Sequence, residues 1–344
     1  MIYPKNFGLK PIEIKATDYI FGGISGVERN KRVENKDWTD WMPEREYQFN
    51  RYFDSMGCVS FAALNSLEFQ FNKWLSELDE NSPVENLIAY DFLRNKGYLK
   101  DNKINFSDRF TAKMSGTTYR GNSLVRVADT IRNKGLVTEK DYPFKPTDNW
   151  WSYYAPVPYH LKKRGLEFLK YFDIQYEWAA IMTQDIIQLS EALKEAPIQI
   201  TVFAWMQPIN GVYRRVYNAP NHAVTLFKID GDYAYIFDHY DDDVKKLALD
   251  FRIGAGLKYN FKIKGYNPMS DLKNNTLVQC VGDGGTGEFG LYLEGKILVG
   301  KLDLVHASWE MRSGVNKKAI TKNEWDSLPK YDIQNPDHLL IAAN

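Results

Sequence analysis

Between residues 59 and 78 apolar side chains recur at Val59, Ala62, Ala63, Leu67, Phe71, Trp74, Leu75 and Leu78, the spacing of one helix face. Further helical patterns cover residues 84–96, 123–133 and 186–196. The second can be capped by Asn122 or Ser123 and ended by Gly135, and the third stops at Pro197. After Pro197 the pattern changes. Residues 198–205, 223–229, 233–237 and 244–251 are rich in Val, Ile, Phe and Tyr, and Asp230-Gly231 between two of these runs predicts a hairpin turn. Helices first and strands later predict an α+β domain, with a helical half, an antiparallel β half and a cleft between them.

The flanks differ from this body. Residues 1–47 are polar and aromatic without periodicity, which predicts an extended arm packed on the domain at 48–254. They hold no long helical pattern, so no inhibitory helix is expected ahead of the domain. Short apolar runs at 257–263, 277–281, 288–293 and 296–301, separated by glycine turns, predict a small β-rich extension over 255–344. Substrate presentation, an assembly partner or stability alone would each suit that extension.

A chain of 344 residues with 44% hydrophobic content can build a substantial core. Lys plus Arg and Asp plus Glu each number 44, so net charge gives no case for nucleic acid or an anionic membrane as partner. No window approaches the roughly 18 apolar residues of a spanning helix, and no apolar run follows a basic start. With only Cys58 and Cys280, a disulfide framework is not expected and a reducing compartment is. The expected location is cytoplasmic or, given the neutral, aromatic composition and lack of an export signal, virion-associated.

The chemistry lies in three positions. Cys58 follows Gly57 at the predicted helix start, where the helix dipole and a nearby imidazolium would favour thiolate. Taken alone, Cys58 also suits the role of a small buried hydrophobe. His222 opens a strand after the turn Asn218-Ala219-Pro220-Asn221, and Asp238 closes the returning strand 16 residues later. The hairpin brings 222 and 238 to the same end, so Asp238 can orient the imidazole, and the set is that of a nucleophilic cysteine enzyme. His160, His239, His306 and His338 have no sequence companions at metal-ligand spacing, so no metal or other cofactor is expected. Gly-Asp-Gly-Gly-Thr-Gly at 282–287 lacks the lysine of a phosphate loop and predicts a hairpin loop.

Asn221-His222-Ala223-Val224, a hairpin and then Asp238-His239-Tyr240 resemble the histidine strand and Asn-Ser-Trp segment of papain-like cysteine peptidases. Asp stands in the asparagine position and Tyr in the tryptophan position. Gly57-Cys58-Val59-Ser60-Phe61-Ala62-Ala63 is similar to the family's nucleophile motif, and Gly121-Asn122-Ser123, Gly135-Leu136-Val137 and Tyr142-Pro143 resemble its middle segment. The likeness runs from about residue 48 to about residue 251. It implies peptide-bond hydrolysis of a protein or peptide substrate, with Cys58 as nucleophile, His222 as acid and base, and Asp238 as orienting group. It also implies that Gly57, Gly121, Asn221 and Tyr240 line the substrate path. The family's oxyanion glutamine falls at Tyr52 by offset, so Gln48, ten residues before Cys58, takes the role only if residues 50–55 form an inserted loop. The Cys58 to His222 spacing of 164 residues exceeds the family's ~130–150, and an insertion around 145–180 accounts for it. Two other classes share these features: a CHAP-type or transglutaminase-like Cys-His amidase, and a papain-like fold retained as a structural or virion assembly protein.

Overall fold

The computed structural model describes residues 7–11, 20–21, 32–79, 81–241 and 244–265, together with the backbone of six strands beyond residue 275. The chain divides into two compact units, Met1–Lys264 and Gly265–Asn344. The division falls later than the boundary expected at 254. The reason is the strand Gly256–Ile263, which pairs along its length with Phe172–Ala180 and so belongs to the first unit's sheet.

The first unit is α+β. Helix α1 (Cys58–Ser76) is buried on every side from Cys58 to Lys73, the environment of a central helix. Around it lie α2 (Val84–Asn95), α3 (Asp108–Met114), α4 (Leu124–Lys134), α5 (Trp150–Tyr153), α6 (Tyr159–Tyr171) and α7 (Ser190–Glu195). The strands of its main sheet are β1 (Phe172–Ala180), β2 (Ile198–Val202), β3 (Val212–Tyr213), β4 (His222–Ile229), β5 (Tyr233–Phe237), β6 (Lys245–Ala248) and β7 (Gly256–Ile263). They form one sheet in the order β1-β7-β2-β4-β5-β6-β3, antiparallel except where β3 meets β6. Two predicted strands are shorter than expected: 198–205 ends at Val202 and 244–251 narrows to Lys245–Ala248.

Helix α1 packs across β2 and β4. Phe69 stacks on Phe227 with ring centroids 5.3 Å apart. Gln199 Nε2 donates to the Val59 carbonyl at 2.7 Å, and Thr225 Oγ1 donates to the Ala62 carbonyl at 2.9 Å. These bonds fix the start of α1 against β2 and β4. The β4 to β5 turn is held by Asp230, whose Oδ1 accepts from the amides of Asp232 and Tyr233 at 2.9 and 2.7 Å.

The second unit's six strands, Thr276–Val281, Glu288–Leu293, Lys296–Asp303, Ser308–Met311, Lys317–Ala319 and Lys330–Asp332, form a separate sheet. The β content expected there is present, and the loop expected at 282–287 lies outside the described residues.

Candidate active site

Cys58 is the first residue of α1, with Gly57 at the cap. The Gly57 carbonyl accepts from the amides of Ser60 and Phe61 at 2.8 and 3.1 Å. A Cβ on Gly57 would come within 2.9 Å of Ser55 Oγ. Met56, just before it, holds a left-handed φ of 55° without being glycine, a strained turn directly ahead of the thiol.

On the facing element His222 opens β4, and its Nε2 lies 2.9 Å from Asp238 Oδ1, where β5 has just ended. Nδ1, the ring's other nitrogen, is buried and has no hydrogen-bond partner. The amide of the next residue, Ala223, donates to the Cys58 sulfur. The hairpin therefore does what the sequence predicts and brings 222 and 238 together at the start of α1. Asp238 is held further by Trp205 Nε1, which donates to Oδ2 at 2.8 Å, and by Lys245 Nζ at 3.1 Å. Burial would raise the Asp238 carboxyl. The charges of His222 and Lys245 and the His222 hydrogen bond outweigh it and hold the carboxyl well below the usual carboxylate range.

Neither Trp205 nor Lys245 is marked by the sequence, because their role depends on which strand ends meet. Nor is His239, which is fully buried with both ring nitrogens unpartnered, its ring 5.0 Å from that of His222. Burial, with the nearby His222 charge, pushes His239 down to about 3, so it is neutral. His222, Asp238 and His239 bring ligand atoms within 4.8 Å of one another. This companionship arises from the hairpin and escaped the spacing argument. The fit to a metal is poor: Asp238 is committed to His222 and Trp205, and the Lys245 ammonium lies against it.

The thiol departs from expectation. Cys58 is buried, with no exposed surface. Burial, aided by the charges of Asp54 and Asp238, pushes it well above the ordinary thiol range despite the Ala223 and Val59 amides. Desolvation here exceeds the helix-terminus effect on which the expectation of a thiolate rested.

Gln48 is brought beside the site. Asn50 Oδ1 caps a tight turn by accepting from the amides of Tyr52 and Phe53, and Ser55 N donates to the Gln48 carbonyl at 2.9 Å. Residues 49–54 thus form a tight excursion ahead of Cys58. The Gln48 amide, however, is already engaged. Its Nε2 donates to Asp54 Oδ1 at 2.8 Å and to the Phe7 carbonyl at 3.2 Å, and approaches the Tyr240 hydroxyl at 3.3 Å. Tyr240 in turn donates to Asp54 Oδ2, and its ring lies 5.5 Å from His222.

Phe7 belongs to a segment that bridges the two halves. Its amide donates to the Asn221 carbonyl at 3.2 Å on the sheet side. On the helical side the Asn122 amide donates to the Gly8 carbonyl at 2.8 Å, and Lys10 N donates back to the Asn122 carbonyl at 2.7 Å. The Phe7 ring rests 5.2 Å from His222 and 5.0 Å from Tyr240. The approach is so close that glycine is required on both sides: a Cβ on Gly121 (φ +82°) would fall 1.8 Å from the Gly8 carbonyl oxygen, and one on Gly8 (φ +109°) would fall 2.3 Å from that of Met56. The backbone passing Gly121 is therefore the chain's own. Asn221 contributes its main chain here, since its side chain is tied to Ala204 by bonds of 2.8 and 3.3 Å.

No protein-family model matches the chain, and no curated protein matches it in sequence. Among solved structures it is similar to xylellain, a cysteine protease from Xylella fastidiosa, at 15% identity and a TM-score of 0.47, covering 75% of this chain and 98% of that one. It is also similar to procathepsin L 3 of Tenebrio molitor larval midgut, at 13% identity and a TM-score of 0.39, covering 74% and 75%. A third likeness is to the Amb a 11 cysteine protease of ragweed pollen in its proform, at 13% identity and a TM-score of 0.39, covering 67% of each chain.

Proposed function

We propose that this protein is a papain-like cysteine peptidase whose resting state is closed by its own residues 7–10. The observation that carries this reading is the His222 ring. Asp238 holds Nε2 at 2.9 Å and leaves Nδ1 as the unpartnered nitrogen, while the adjoining Ala223 amide reaches the Cys58 sulfur. A proton can pass from Cys58 to Nδ1 as the sulfur attacks a peptide carbonyl. The protonated imidazole, stabilised by Asp238, then gives that proton to the leaving amine, and the acyl-enzyme is released by water that His222 deprotonates. The Cys58 amide and Gln48 Nε2 are the oxyanion donors in this scheme, each contributing roughly 3 kcal/mol in the transition state. A peptide carbonyl, that of Phe7, already lies on Gln48 Nε2. Asp54 and Tyr240 position Gln48.

Substrate must displace residues 7–10, after which the thiol is rehydrated and the burial that raises it is relieved. Hydrolysis of denatured protein by the wild-type chain, absent from Cys58→Ala, tests the assignment; undiminished hydrolysis by that variant refutes it. The complete burial of Cys58 favours a second reading, a papain-like fold kept as a structural protein. That reading predicts that no treatment which frees the segment makes Cys58 reactive.

A further inference from the structure

A cavity of about 290 Å³ adjoins the triad, and none of the steps above uses it. Its lining includes Phe49, Phe61 and Phe144 together with Glu46, Asp108 and Glu139. Phe61, one turn along α1 from Cys58, lies 5.3 Å from the His239 ring, and Phe49 stacks on Tyr240 at 5.2 Å. The cavity therefore lies beside His239 and Tyr240, the two residues that follow Asp238. Phe49 and Tyr47, also in the lining, are exposed to solvent at its rim.

The acids are the anomaly. Asp108 is buried, and its Oδ1 has no hydrogen-bond partner; Glu139 Oε2 is likewise unpartnered, although its Oε1 accepts from the Phe144 amide at 2.7 Å. Glu46 contacts Asp108 and accepts from Asn105 at 3.1 Å, and Glu68 lies close behind. The cations in this region are occupied or exposed at the rim. Arg109 donates to the carbonyls of Pro143, Ser152 and Tyr153 and pairs with Asp148 at 3.6 Å, Lys100 pairs with Glu44, and Lys145 is an exposed rim residue. Burial and mutual repulsion raise Asp108, Glu139 and Glu68 well above the carboxylate range, and raise Glu46 as well. Arg109 and Lys100 offset only part of this, since both are engaged with other groups, and a cation supplied from outside would relieve the remaining cost.

A single metal ion is a poor match. Among the described residues, the one group of three or more His, Cys, Asp or Glu side chains close enough to share an ion is His222, Asp238 and His239, so these carboxyls are too far apart to close on one ion at 2.0–2.6 Å. The volume, on the order of ten waters, is also far too large for one. A lining of aromatic and acidic residues together suits an alkyl stem that ends in a cation.

We propose that this cavity is the subsite for a basic side chain, lysine or arginine, of the peptide substrate. The identity of the ligand's source rests on the peptidase reading; the cation preference does not. The test therefore has two arms. In the first, n-butylammonium, n-butylguanidinium and neutral n-butanol are titrated at pH 7 into the full-length Cys58→Ala protein, with binding read by saturation-transfer NMR. The cations are expected to bind at least tenfold more tightly than the alcohol, and that preference should disappear in both Asp108→Asn and Glu139→Gln on the same background. Equal binding of the alcohol, or a preference that survives in Glu139→Gln, overturns the subsite. In the second arm, the wild-type chain cleaves denatured proteins and the products are sequenced. Lys or Arg should be enriched at one fixed position relative to the cut, and the enrichment should weaken in Glu139→Gln. Cuts without such enrichment overturn the substrate assignment, whereas cation binding without any cutting overturns the peptidase reading and leaves a site for a free organic cation.

Discussion

Gly8→Ala opens the site without touching any residue of the triad. An added Cβ would stand 2.3 Å from the Met56 carbonyl oxygen, on a backbone whose φ of +109° a side chain rarely adopts. The hydrogen bonds that dock the segment include, among the described residues, Phe7 N to Asn221 O, Asn122 N to Gly8 O, Lys10 N to Asn122 O and Gln48 Nε2 to Phe7 O. At about 0.5–1.5 kcal/mol each, these stabilise the closed state by roughly 2–6 kcal/mol. Left-handed strain alone costs the alanine about 1–3 kcal/mol, and the clash must be relieved by moving the chain away from Met56. A net loss of about 2 kcal/mol multiplies the open population roughly thirtyfold while that population remains small. The alkylation rate of Cys58 by iodoacetamide, followed by intact mass at pH 7.5, should rise by the same factor, with the unfolding temperature of the domain as control. An unchanged alkylation rate in a folded Gly8→Ala protein refutes the idea that residues 7–10 limit access to the thiol.

Two further outcomes follow from the shell around Asp238. His239 is neutral in the folded state down to about pH 3 but titrates near 6.5 when unfolded, so below pH 6.5 the unfolded chain binds the extra proton and stability falls with falling pH. At pH 4.5 this amounts to about 2–3 kcal/mol. The buried acids act in the opposite sense, since their raised folded values stabilise the fold at low pH and that contribution fades as pH rises through them. The His239 contribution is therefore read as the difference in urea stability between wild type and His239→Asn, which should narrow as pH falls from 7 to 4.5; a constant difference contradicts it. Trp205→Phe removes a 2.8 Å bond to a buried carboxylate and should cost about 1.5–3 kcal/mol in urea unfolding, while slowing Cys58 alkylation in the Gly8→Ala background. Unaltered alkylation there would show that Asp238 needs no support from Trp205.

The elements legible in the sequence are those whose pattern is set by burial alone. Helix α1 and the β4–β5 hairpin are of this kind, and with them came the place of Cys58 at the helix start and the pairing of His222 with Asp238. Helix α6 was hidden by Gly165 in its middle, which reads as a breaker. The fold needs that glycine because a Cβ there would fall 2.4 Å from the Lys134 carbonyl oxygen at the end of α4. Strand β1 does alternate, with Phe172, Ile174, Tyr176 and Trp178 on its buried face, while its other face carries Glu177, buried by pairing at 2.6 Å with Lys258. Residues 7–10 dock through main-chain bonds and leave almost no side-chain signature. The acids of the cavity come from positions 46, 108 and 139, with Glu68 behind them, and only the packing of α1 and α3 with the loops around them gathers these carboxyls.

The central claim, that His222 activates Cys58 once the segment has left, is tested most directly by labelling the Gly8→Ala protein with an epoxysuccinyl alkylator and mapping the adduct by mass. Stoichiometric modification of Cys58 is expected, falling at least a hundredfold in rate when His222→Ala is added. Equal labelling with and without His222, or an inert Cys58 in the opened protein, would contradict it.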